Sequence, residues 1–133
     1  MTLRIELVDE PLELGWENVK MWLLEFTLGD VGVISAYLTK KTLGGLPDPD
    51  LATATITFDL WGYVDGVDTH ILDGLSCTLT DADTGLVEVS LPVGGIVYEG
   101  DNFRGRFNVE YLDGRVESYP RGRQQITVLV RRP

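Results

Sequence analysis

The run LATATITFDLW, residues 51–61, constrains the fold more than any other part of the chain. Ala52, Ala54, Ile56, Phe58 and Leu60 alternate with Thr53, Thr55, Thr57 and Asp59. A period of two sends successive side chains to opposite faces of an extended strand, and a helix would scatter them around its axis. The pattern returns in GLSCTLT, where Leu75, Cys77 and Leu79 share a face. In RGRFNVEYL, Phe107, Val109 and Tyr111 oppose Arg106, Asn108 and Glu110. In QQITVLV, Ile126, Val128 and Val130 oppose Thr127 and Leu129. Asp-Gly pairs at 65–66, 73–74 and 113–114, and Gly-Gly pairs at 44–45 and 94–95, are candidate turns between such runs, because these residues tolerate the positive φ of tight hairpins. Short half-buried strands punctuated this way predict an all-β fold, an antiparallel β-sandwich of about seven to nine strands.

Two segments fit less cleanly. In residues 9–26, Trp16, Val19, Leu23 and Phe26 fall near helical spacing, but Gly15 interrupts it, and Val19, Met21 and Leu23 also alternate with Lys20, Trp22 and Leu24. The reading is a strand over 18–27. TKKTLGGLPDPD, residues 39–50, holds two glycines and two prolines in a polar stretch and reads as a surface loop. With no linker and no repeat, the chain reads as a single domain over 1–133, with residues 1–17 an N-terminal extension and 18–131 the sandwich core. The 133 residues, 44% of them hydrophobic, are enough to bury a core without staples. No stretch approaches the ~20 apolar residues that span a bilayer. MTLRIELVDE places acids where a secretory leader needs a basic and then an apolar region, so synthesis in a cytoplasm is expected.

Charge excludes further classes. A formal net charge of −10 argues against nucleic acid or an anionic membrane as partner. Residues 101–133 nonetheless carry Arg104, Arg106, Arg115, Arg121, Arg123, Arg131 and Arg132 against Asp101, Glu110, Asp113 and Glu117, a net of +3, which leaves −13 for residues 1–100. Either the two parts interleave and neutralise one another, or basic surfaces of one copy meet acidic surfaces of a neighbour. On the second reading Arg104, Arg115, Arg121 and Arg123, which flank turns, are the candidate interface residues.

Catalytic chemistry finds little support. With one cysteine, Cys77, and one histidine, His70, no zinc set can be assembled. Cys77 reads as a buried structural thiol and His70 as a surface-loop residue. No nucleophile elbow, dinucleotide fingerprint or phosphate-binding loop occurs, so no catalytic residue and no cofactor is expected. DADTGLVEVSL opens like a calcium loop, with Asp81 and Asp83 two apart. Such a loop needs oxygen ligands further on and a glutamate at its twelfth position. Here Gly85, Leu86 and Val87 follow, and Pro92 stands twelfth. The stretch reads as a turn, with no metal.

Several motifs recur in a telling order: FTLGDVGVISAYLT, PDPDLATATITFDLW, LSCTLTDADTGLVEVSL, FRGRFNVEYLDGRVESYP and QITVLV. Together they cover about residues 26–130 and resemble the N-terminal domain of the phage baseplate upper protein family. The matching points are Gly29-Asp30, Asp50 to Phe58, Thr80 to Gly85, Tyr111 to Gly114 and Tyr119-Pro120. The resemblance implies an immunoglobulin-like β-sandwich in a bacteriophage or prophage virion. It implies a structural, non-enzymatic subunit at the tail tip or baseplate that docks on repeated copies of a larger virion protein, and on itself, in a symmetric assembly. Family members continue into a long fibre-anchoring region, whereas this sequence ends at Pro133; the expectation is a mounting module without the arm, with a capsid decoration protein as the alternative. A second alternative is a carbohydrate- or receptor-binding sandwich, whose candidate aromatics are Trp16, Trp22, Trp61 and Tyr63.

Overall fold

Strand Thr2–Val8 (β1) runs parallel to Val33–Thr39 (β3), and between them in sequence Trp22–Thr27 (β2) runs parallel to the last strand, Ile126–Arg131 (β10). The intervening strands are Thr55–Val64 (β4), Val67–Ser76 (β5), Thr78–Asp81 (β6), Leu86–Ser90 (β7), Gly100–Glu110 (β8) and Val116–Tyr119 (β9). The computed structural model describes residues 2–8, 22–27, 32–92, 100–120 and 126–131. One sheet has the order β1-β3-β7-β6, and the other has the order β2-β10-β8-β4-β5, with β9 beside β8. At 11 residues, β8 is long enough to pair with β10 through its first half and β9 through its second. The fold is an all-β sandwich in a single domain.

Among the described residues six of the eight strand pairings are antiparallel; the two parallel ones place β1 and β2 at outer positions of the two sheets. A parallel pair needs a crossover between its strands. The chain makes one by visiting the second sheet as β2 before returning to the first as β3. The expected extension, residues 1–17, thus contains a sheet strand, Thr2–Val8, while residues 9–17 lie outside the described residues. Of the strand expected over 18–27, Trp22–Thr27 is a strand and 18–21 lie outside.

The inner faces follow the alternation. Ile56, Phe58 and Leu60 of β4 meet Phe103, Phe107 and Val109 of β8, with Ile126, Val128 and Val130 beside them, all buried. Ile34, Ala36, Leu38, Val87 and Val89 supply the facing layer of the same core. Each fully buried Phe, Ile or Leu contributes about 1.5–3 kcal/mol relative to exposure. Phe58 and Phe107 add an inclined ring contact with centroids 4.8 Å apart. The chain passes from the second sheet to the first at Cys77, between β5 and β6, where its N–H donates to the Ile56 carbonyl at 2.9 Å.

Two expectations change, one of a strand and one of a turn. The run over 51–61 begins as a strand only at Thr55, because Pro49–Thr53 forms a 3-10 turn capped by Asp48. Pro at the first helical positions after an Asp cap favours that turn, and it buries Leu51 rather than Ala52. Asp73-Gly74 joins no strands. It lies inside β5, where the register against β4 slips between Phe58 and Leu60, and Gly74 takes φ +63° at this bulge. Asp65-Gly66, with φ 51° and 79°, does turn β4 into β5. Asp113-Gly114 lies between β8 and β9, and Gly94-Gly95 lies outside the described residues.

Candidate docking face

Four apolar side chains stand out of the sandwich at one end. Leu43 and Leu46 come from the 40–46 loop, and Leu112 and Val116 flank the β8–β9 turn. A polar clamp binds these two segments together. Lys40 Nζ donates to Asp48 Oδ2 at 2.8 Å and to Glu117 Oε1 at 2.7 Å. Arg115 donates through Nε to Asp113 Oδ2 at 2.8 Å and through Nη2 to Asp50 Oδ2 at 2.9 Å, and its guanidinium lies 4.3 Å from the centre of the Tyr111 ring. Burial disfavours the charged forms of both Lys40 and Asp48, but their mutual hydrogen bond and the surrounding charges outweigh it. The Lys40 ammonium is therefore held above the usual lysine range and the Asp48 carboxyl below the usual carboxylate range. The loop read as a plain surface segment is thus fastened to the second sheet.

Two hollows flank the clamp. One, of about 490 Å³, is bounded by Tyr37, Leu46, Pro47, Asp83 and Thr84. The other, of about 170 Å³, is bounded by Asp50, Thr53, Tyr111, Leu112 and Asp113. The 81–85 stretch forms a wall of the first. It is a turn: the Asp83 N–H donates to Asp81 Oδ1 at 3.0 Å and Gly85 takes φ +76°. Asp81 thereby bonds the local backbone in the way short Asp side chains do at turns.

On the outer face of the second sheet, Asp59 lies at the centre of a second polar group. Its Oδ1 accepts the Gly74 N–H at 2.8 Å and faces His70 Nε2 at 2.9 Å, while Oδ2 accepts from Asn108 Nδ2. His70 is a strand residue of β5, not a loop residue. Its ring stacks on Trp61 with centroids 4.7 Å apart and planes 12° from parallel. Asp59, His70 and Asp73 bring metal-ligand atoms within 4.8 Å of one another. Both Asp59 oxygens, however, already accept hydrogen bonds that tie β4 to β5 and β8, so the group acts as a cross-strand tie. Cys77 has the character opposite to an activated nucleophile: burial, with Asp59 nearby, pushes its thiol up to about 12.

The structure separates the four arginines expected at an interface. Arg104 grips both oxygens of Asp68 at 2.6 Å and lies 5.5 Å from the Tyr63 ring centre. Arg115 belongs to the clamp. Both therefore meet acids of the first hundred residues within their own chain, as local neutralisation of the two charge halves requires. Arg121 and Arg123 lie outside the described residues. Of the aromatics considered for sugar binding, Trp61 and Tyr63 each turn one ring face to a side chain of their own sheet, Trp22 sits in β2, and Trp16 lies outside the described residues. Sequence reasoning passed over Lys40, Asp48, Asp50 and Glu117. The local signal was Asp48-Pro49-Asp50, a capped turn; the Lys40–Glu117 contact joins residues 77 apart and has no local signature.

No family model matches the chain, and no curated protein matches it. A phage domain shares its fold. The N-terminal domain of phage TP901-1 ORF48 matches with a TM-score of 0.59 and 18% identity, over 98% of this chain and 99% of that one. At 18% identity this likeness shows a shared fold.

Proposed function

We propose that this chain is a non-enzymatic structural subunit of a bacteriophage or prophage particle. It sits at the tail tip or baseplate and docks on repeated copies of a larger virion protein. The observation that carries the reading is the end-to-end likeness to the TP901-1 ORF48 domain, which leaves neither chain with a substantial unmatched part. The polar groups agree with it. The Lys40–Arg115 clamp and the Asp59 tie spend their hydrogen bonds on holding surfaces in place, and the chain's thiol is held protonated. Docking in a symmetric array lets individually weak contacts add up through avidity.

The test is mass spectrometry and gold labelling of particles purified from the strain that encodes the chain. The chain should be present in a fixed ratio to tail proteins, with label at the tail tip. Label over the head would replace the tail assignment with capsid decoration, and absence of the chain from particles would end the structural reading.

A further inference from the structure

We infer that the clamped end of the sandwich is a docking surface for a protein segment that carries basic and apolar side chains together. The inference rests on the structural-subunit reading and adds the surface and the chemistry of its partner. Leu46 is 62% exposed, Val116 67% and Leu112 82%, and Leu43, in the same loop as Leu46, is 40% exposed. Large aliphatic groups gathered at one end, rather than scattered, mark an interaction surface. Leu46 and Leu112 each border a hollow, of about 490 and 170 Å³, so a partner's side chains can enter rather than lie flat. Tyr111 lines the second hollow, and the Lys40 ammonium that pins the loop beside the first lies 5.7 Å from its ring centre, which joins the two into one surface.

Charge identifies the occupant. Asp83 lines the larger hollow and Asp50 and Asp113 line the smaller, while Asp48 and Glu117 belong to the adjoining clamp with Lys40 and Arg115. Both cations are already engaged, Lys40 by Asp48 and Glu117, and Arg115 by Asp50 and Asp113. Among the side chains described, Asp81 and Asp83 meet no cation, and Asp83 lines the larger hollow beside Leu46. A lysine or arginine next to an aliphatic side chain would complement that pairing. A two-fold pairing of this end with itself would not: it sets acids against acids. Because the clamp already holds both loops, little ordering cost remains for binding.

The test titrates methyl-labelled protein with a short synthetic peptide alternating lysine and leucine, and with its twin carrying glutamate for lysine. The lysine peptide should shift the Leu46 and Leu112 methyl resonances saturably and leave Val67, at the other end of β4–β5, unmoved. Binding should weaken at least tenfold in Leu46→Ser/Leu112→Ser, with the unfolding midpoint held because both side chains are exposed, and stay unchanged in Val67→Ser. The inference is overturned if both peptides act alike, if neither moves these methyls, or if Val67 responds instead. It is equally overturned if Leu46 and Leu112 shift with protein concentration alone, which would make a second copy the occupant. None of these results depends on whether the chain is found in particles, so the two readings fail separately.

Discussion

Replacing Gly85 by alanine sets two costs against one structural feature, and Gly44 supplies the control. At φ +76° any residue with a Cβ is strained, by about 1–2 kcal/mol. A Cβ at Gly85 would also stand 2.5 Å from the Leu38 carbonyl oxygen and 2.9 Å from Pro47 Cβ. The first obstacle is backbone of β3, which is paired on both sides and cannot swing aside as a side chain would. Relief requires the 81–85 turn to lift off, at the expense of the bond from the Leu38 N–H to the Gly85 carbonyl, now 2.9 Å. Overpacking of this kind costs about 1–3 kcal/mol, so Gly85→Ala should destabilise by about 2–5 kcal/mol in total. Gly44 has a similar φ of +67° with nothing within 4 Å of its Cβ position, so Gly44→Ala should cost only the ~1–2 kcal/mol backbone strain. Equilibrium urea unfolding of the two variants should differ in midpoint at equal slope. Equal losses would refute the idea that close packing against β3, rather than turn conformation, makes Gly85 necessary.

Lys40→Ala should cost about 1–3 kcal/mol, because the buried Asp48 carboxylate loses its nearest cation and keeps only the Asp50 N–H at 2.9 Å and Arg115 Nη1 at 3.4 Å, and calorimetry of the variant measures it. Stability from Asp48, whose folded pKa is lowered, is complete above the ordinary carboxylate range and lost as pH falls through its depressed value. Stability from Lys40, whose folded pKa is raised, is complete below the ordinary lysine range and lost as pH rises through its elevated value. Unfolding midpoints of the wild type should therefore fall at both extremes, and those of Lys40→Ala should lose the alkaline part. Cys77, with its thiol raised to about 12, should react slowly with a disulfide reagent at mildly alkaline pH and fast once unfolded; equal rates would show that burial does not protect it.

What the sequence determined by itself is everything that repeats at short range. Period two in residues 55–60, 103–111 and 126–130 placed Ile56, Phe58, Phe107, Val109, Ile126 and Val128 in the core, since a strand with one buried face permits no other pattern. Asp81 to Gly85 announced a turn through residues that bond their own backbone. Tertiary structure alone decided which strands are neighbours. Parallel β1 and β2, the bulge that turned Asp73-Gly74 from a corner into part of β5, and the burial of Asp59 all depend on partners distant in sequence. The clamp shows the reason most directly. Lys40 and Glu117 are 77 positions apart, and only the packing of the 40–54 loop on the β8–β9 hairpin brings them to 2.7 Å. Alternation specifies which face of a strand is buried but carries no information about which charges on the other face will meet.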